Sequence, residues 1–163
     1  MFKPFQFATV FVLGVAATAA LAADPKATIA DLDARLNKIG APKVNGTDTV
    51  AGKTVPALFF GERKINNNYD VVDEIRRSTG AAATVFVRDG EEFVRVSTNV
   101  LTPDGKRGVG TQLARNKAYE ALAKGGSWCG EIDVLGTTLN SCYNPIKDGA
   151  GKIVGVTYVG FKK

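Results

Sequence analysis

The sequence predicts an α+β domain with one twisted antiparallel sheet of about five strands and helices segregated from it. Three observations carry this reading. Ile29, Leu32, Leu36 and Ile39 recur at spacings of three and four near the N-terminus, a helical stripe. Runs rich in valine, threonine and aromatic residues span Ala83 to Val87, Phe93 to Val100, Trp128 to Leu135, Thr137 to Ile146 and Lys152 to Val159. Tight turn signals separate neighbours, at Asp89-Gly90, Gly136 and Asp148-Gly149-Ala150-Gly151, so adjacent strands run antiparallel.

Before the first helix the chain carries a different kind of segment. Lys3 precedes an apolar or small run from Ala8 to Ala19, and Ala20-Leu21-Ala22 supplies a small-x-small cleavage site. Residues 1–22 are read as a secretory signal peptide. The alternative is an uncleaved anchor, because Phe5 to Ala23 approaches the roughly 20 residues of a spanning helix. Cleavage behind Ala22 leaves a single domain over 23–163, with no second apolar run to cross a membrane and no room for an output module. The expected location is periplasmic or secreted, in a bacterium.

In the mature region Asp24 caps the first helix, Pro25 sits where its missing N–H costs nothing, and Gly40 ends it. Residues 41–65 read as loop and short strand, with turns at Asn45-Gly46 and Ala51-Gly52. A second helix runs from about Asn68, its cap, to Thr79, with Val71, Val72 and Ile75 inward and Gly80 as its stop. A third runs from Thr111 to Lys124, burying Leu113, Ala118, Ala121 and Leu122, and stops at Gly125-Gly126.

Composition removes whole classes of function. The formal charge is +5, falling to +4 without Lys3, and the basic residues are interspersed with acids. A nucleic-acid binder would show a basic stripe with stacking aromatics, and none is visible. The chain has no histidine and no cluster of Cys, Asp and Glu at ligand spacing, so neither a metal nor another cofactor is expected. A mild cationic excess suits small anions. Ser97 and Ser141 have no sequence-visible base, so no enzymatic activity is expected.

Three segments then carry a resemblance. NNNYDVVDEIRRSTGAAATVFV, FVRVSTNVLTPDGKRGVGTQLA and GEIDVLGTTLNSCYNPIKDGAGKIVGVTYVG resemble the single Cache sensor domains of bacterial chemoreceptors, nearest to the Cache 3/Cache 2-like group. The likeness covers roughly Asn66 to Gly160. It implies a PAS-like fold: a long N-terminal helix behind a five-stranded antiparallel sheet, with a ligand pocket on the other face. It also implies binding of a small molecule, an organic acid or amino acid, outside the cytoplasm, and signalling through a membrane helix. Here the second membrane helix and signalling region are missing. The chain is therefore expected to act with a membrane-bound receptor or kinase.

Arg95 is the first candidate for the site. By strand alternation Phe93, Arg95, Ser97 and Asn99 share one face, while Val94, Val96, Thr98 and Val100 form a core face. A guanidinium binds carboxylates bidentately. In citrate-type single Cache sensors an Arg and a hydrogen-bonding residue three positions later contact the ligand, which corresponds to Arg95 and Thr98. Alternation separates these two unless the strand bulges. The plainer reading pairs Arg95 with Asp73 or Glu74. Tyr143 stands two residues before Pro145, where related sensors place a ligand contact, and Ser141 shares its face. Trp128 and Tyr119 are candidates for pocket walls, and Tyr69 precedes a helix that borders Cache pockets. Each aromatic has an equally simple role in packing. Arg107 and Lys106 read as solvated charges.

Cys129 and Cys142 are the remaining pair. If Leu135-Gly136 closes a hairpin with Val134 facing Thr137, the two cysteines fall directly opposite each other in a non-hydrogen-bonded pair, with Cα atoms about 4.5 Å apart. An even cysteine count in an exported chain fits a structural disulfide, against free thiols or a redox pair. Together these readings describe a free-standing exported sensor of a small carboxylate or amino acid. The alternative is an extracytoplasmic interaction module with a vestigial pocket.

Overall fold

A computed structural model describes residues 23–163; the expected signal peptide, 1–22, lies outside the described residues. Helix α1 spans Pro25–Ile39, and the Asp24 side chain accepts from the Lys26 N–H as its cap. Strands β1 (Pro42–Val50), β2 (Lys53–Phe60) and β3 (Arg63–Lys64) form a small antiparallel sheet. Helix α2 (Asp70–Thr79) leads to β4 (Ala82–Asp89) and β5 (Glu92–Thr98). After a long covering loop come α3 (Lys117–Ala123), β6 (Trp128–Val134), β7 (Thr137–Lys147) and β8 (Ile153–Lys162). The five long strands make one antiparallel sheet in the order β5-β4-β8-β7-β6, as the turn chemistry requires. Among the described residues no helix is long and apolar enough to cross a membrane.

Three element boundaries differ from the sequence reading. Residues 41–65 are not mostly loop: Ala51-Gly52 closes a long β1–β2 hairpin, both turn residues having positive φ as a primed turn demands. Polar residues and the irregularity between Val44 and Thr47, which contains Gly46, disguised β1, most of which faces solvent. Helix α2 begins at Asp70 with Tyr69, not Asn68, at the N-cap; the Asn68 side chain stands one residue earlier and accepts from the Asp70 N–H at 3.1 Å. Residues 111–116 are not helical. They lie along β5, where the Arg95 N–H donates to Thr111 O and the Leu113 N–H donates to Phe93 O, so the segment satisfies an otherwise bare sheet edge. Asn116 then caps α3 by accepting from the Tyr119 N–H.

The main sheet is buried on both faces. Beneath it, Leu32 and Leu36 of α1 and Val72 and Ile75 of α2 pack with Val85, Val94, Val96, Cys142 and Val159. Gly40 and Gly61 let the helix end meet the β2–β3 turn: a Cβ on Gly40 would lie 2.4 Å from the Gly61 Cα. Above the sheet a second core joins Phe86, Phe93, Tyr143, Val156 and Tyr158 to Leu113, Ala118 and Leu122. The helix-backed sheet and its separate upper face match the expected architecture.

Val134 pairs with Thr137 and Cys129 with Cys142, the register predicted from the hairpin. The cysteines form a disulfide, with Cα atoms 4.1 Å apart. It lies on the helix side of the sheet, flanked in sequence by residues of the upper face.

Candidate functional site

Residues of the upper face fall into cross-strand rows, because directly paired residues in an antiparallel sheet point the same way. One row runs Trp128, Tyr143, Tyr158, Thr84, Thr98. A neighbouring row runs Pro145, Val156, Phe86, Arg95. On the other side of the aromatic row lie Gly130, Ser141, Gly160 and Ala82.

The position of Thr98 depends on a bulge. Phe86 pairs with Arg95 but Val85 pairs with Ser97, so Val96 is an extra residue in β5. Simple alternation is therefore wrong beyond Arg95. Thr98 shares the upper face, its hydroxyl 2.6 Å from that of Thr84. Ser97 turns to the lower face and donates to Asn68 O at 2.6 Å. Asn99 leaves the strand face to tie Ala83 N–H, Val72 O and Ala81 O together.

Arg95 is 3% exposed. One terminal nitrogen, Nη1, donates to Thr111 Oγ1 and Gln112 O, both at 3.0 Å, and the guanidinium stacks 4.8 Å over the Phe86 ring. Its Nε is buried with no partner. Among the described residues no carboxylate pairs with it. Asp73 is held by Arg107 at 2.7 and 2.8 Å, and Glu74 by Arg35 at 3.0 Å, so the plainer reading of Arg95 is not realised. Burial lowers the Arg95 pKa, opposed by the nearby Tyr143 and Tyr158 phenols. The charge persists at neutral pH, since an arginine starts above about 12.

The two phenols are equally enclosed. Tyr143 and Tyr158 stack with ring centroids 4.7 Å apart, and Trp128 tilts against Tyr143 at 6.2 Å. Burial pushes the Tyr158 hydroxyl up to about 12 and raises that of Tyr143 further, so both remain proton donors. The Tyr158 hydroxyl leans over Gly160, where a Cβ would lie 2.2 Å from it, and lies 3.5 Å from Ser141 Oγ. The structure thus gathers Arg95, Thr98, Ser141, Tyr143 and Trp128 on one face. It adds Tyr158, Thr84 and Thr111, which sequence reasoning missed. Tyr158 was recoverable: once β7 pairs with β8, the partner of Tyr143 is Tyr158.

The other candidates lie elsewhere. Tyr69 packs on the lower core under the Arg107 guanidinium, 4.3 Å from its ring centroid. Tyr119 stands at the rim, where its hydroxyl donates to Glu91 O and its ring meets Phe93 edge-on at 6.0 Å. Arg107 is not a solvated charge, because its bidentate pair with Asp73 and its bond to Thr98 O anchor the covering loop to α2.

Beneath the aromatic row, Asp33 of α1 accepts from Thr157 Oγ1 at 2.6 Å and from Asn144 Nδ2 at 2.7 Å. These partners are the chain neighbours of Tyr158 and Tyr143. Burial raises the Asp33 pKa, and the two hydrogen bonds oppose that rise.

Arg95 lines none of four well-formed clefts among the described residues. A cleft of about 460 Å³ does open on the upper face, over Ala82, Leu139 and Gly160. The aromatic row separates it from Arg95. Among the described residues no group of three Cys, Asp or Glu side chains is placed to hold a metal ion.

A helix-backed antiparallel sheet with a loop-covered face of buried donors defines a small α+β domain. The chain belongs to the Cache 3/Cache 2 fusion domain family, whose model matches residues 26–163. The match extends beyond the segments that carried the resemblance, taking in nearly all of α1 and the β1–β2 hairpin. Among solved structures the chain is similar to the E. coli DcuS sensor domain, at 17% identity and a TM-score of 0.42. That similarity covers 57% of this chain and 64% of the other, less than two thirds of its length. No curated protein matches the chain.

Proposed function

We propose that this chain is an exported Cache domain that binds a small carboxylate or amino acid and passes the signal to a membrane-bound receptor or kinase. The observation that carries the reading is Arg95, a buried guanidinium with a free Nε and no acidic partner among the described residues. Hydrogen bonds and stacking offset its burial without supplying a counter-charge, and a ligand carboxylate is the partner that would supply one. Thr98, Tyr143 and Tyr158 bring neutral hydroxyls to the same face, suited to fixing a ligand's orientation. No base stands beside a nucleophile there, in keeping with binding rather than turnover. Export by residues 1–22 is part of the proposal, and the Cys129–Cys142 disulfide supports an oxidising compartment.

The test is a thermal-shift screen of the protein against mono- and dicarboxylates, amino acids, amines and purines, with Arg95→Met in parallel. A ligand at 100 times its dissociation constant adds about 2.7 kcal/mol of stability. An acid that stabilises the wild type and leaves the variant unmoved is the expected result. A shift that survives the substitution, or acids that never shift the protein, would refute it. One observation favours the interaction module instead: Arg95, Tyr143 and Tyr158 are each 3% exposed or less and the two rings stack, so an occupant needs the aromatic row to part. Retrieval of one defined exported partner, with a flat ligand screen, would select that reading.

A further inference from the structure

The cleft beyond the aromatic row has a chemistry of its own. Its walls come from the end of α2, the start of the covering loop, the β6–β7 hairpin and the end of β8. Val100, Leu101, Val134 and Leu139 give it an apolar wall, and Arg76 and Lys162 give it two cations. A second cleft, of about 440 Å³, shares Arg76, Asn99 and Leu101 with it and adds Arg77, Arg107 and Asp73. Asp73 is the only acid in either lining, and both its oxygens are held by Arg107. Arg76, Arg77 and Lys162 form no ion pair among the described residues, Arg76 donating instead to Asn99 O at 3.3 Å; Asp73, whose pKa Arg76 and Arg77 also lower, offsets only part of the charge, so the linings carry a positive excess.

Leu101 stands at the mouth shared by the two clefts, 52% exposed, one of two large exposed hydrophobic residues among those described. Its surroundings are fixed. The Gly108 N–H donates to Val100 O, and Arg107 holds the same loop to α2. The site is therefore preformed, which reduces the ordering cost of binding. A volume near 460 Å³ lies within the range of small-molecule sites.

From this we propose that the cleft is a second binding site, for an organic anion with an apolar body: a medium-chain or arylalkyl carboxylate. Its head group meets Arg76 and Lys162, and its body covers Leu101 and lies against Val134 and Leu139. A small inorganic anion would leave the apolar wall uncovered, and a short dicarboxylate would bring a second charge against it. The site is distinct from Arg95, across the row of Tyr143 and Tyr158, and does not depend on Arg95 holding a ligand.

The experiment is titration calorimetry of the full chain with octanoate and 4-phenylbutyrate, each below its aggregation limit, with succinate as the polar comparison. It is run on the wild type, on R76Q/K162Q and on Y143F. Arg76 and Lys162 are exposed, so their double substitution leaves the fold intact; unchanged circular dichroism checks this. We expect saturable binding of the apolar acids, weakened about tenfold or more in R76Q/K162Q, with Y143F like the wild type. Lack of saturable binding by either apolar acid overturns the proposal, as does equal binding by R76Q/K162Q or by succinate. Binding lost in Y143F and kept in R76Q/K162Q also overturns it and moves the acid to the Arg95 side. The Arg95 screen is read on short acids and amino acids and excludes these apolar acids, so the two readings fail separately.

Discussion

Replacing Arg95 by methionine separates a binding residue from a structural one. Keeping a guanidinium in a site 3% exposed to solvent costs several kcal/mol even after relaxation. Against this stand two charge-assisted hydrogen bonds, to Thr111 and Gln112, each contributing about 1.5–3 kcal/mol. Stacking over Phe86 adds about 1–2 kcal/mol. These contributions nearly cancel. Methionine keeps most of the apolar stem, and the Thr111 hydroxyl retains its bond to Gly108 O. Arg95→Met should therefore leave stability within about 1 kcal/mol of the wild type. Urea unfolding read by the fluorescence of Trp128, the single tryptophan, and by circular dichroism measures this. A loss above about 3 kcal/mol would refute the reasoning, because Arg95 would then be explained by the bonds it makes to the covering loop.

The disulfide and the buried acid give two further expectations. Replacing Cys129 and Cys142 together by alanine should cost about 3 kcal/mol, because the crosslink restrains the unfolded chain; a double variant as stable as the wild type in urea would contradict this. Asp33 has its pKa raised in the folded state by burial, so its contribution is fully present below the ordinary carboxylate value of about 3.9 and is lost as pH rises through the raised value. The wild type should gain on Asp33→Asn as the pH falls from 7 to about 4. A stability difference that ignores pH over that window would count against the assignment. Asp73, whose pKa Arg107 lowers, works in the opposite sense and is common to both proteins, so it cancels from the comparison.

The parts of the fold governed by local rules were legible in the sequence. Asp24, Pro25 and Gly40 bracket α1 because capping and φ preference act within a few residues. Leu135 and Gly136 both have positive φ, as a two-residue hairpin requires, and that fixed the pairing of Cys129 with Cys142. What could not be read depends on tertiary neighbours. β1 is a strand because β2 lies beside it, although most of its side chains face water. Residues 111–116 carry helix-compatible side chains, but the bare edge of β5 captures their backbone. In the site, Ser141 and Tyr143 share a face as alternation predicted, whereas Ser97 and Thr98 exchange faces. Arg107 read as solvated because its partner, Asp73, is 34 residues away in sequence.

The bulge at Val96 also has a meaning for reading other chains. Two side chains on one face of a regular strand are separated by an even number of residues, and Arg95 and Thr98 are separated by three. An odd spacing between partners in one strand is thus a mark of an inserted residue, legible wherever both partners are known to act together. Deleting the extra residue would leave arginine and threonine two apart and still on one face, whereas straightening the strand with the residue kept would reverse its grammar, sending threonine into the oily layer and serine into the site. In aligning chains of this type, a one-residue gap between the arginine and the threonine is therefore a lost bulge, a change of length that keeps both partners on their face.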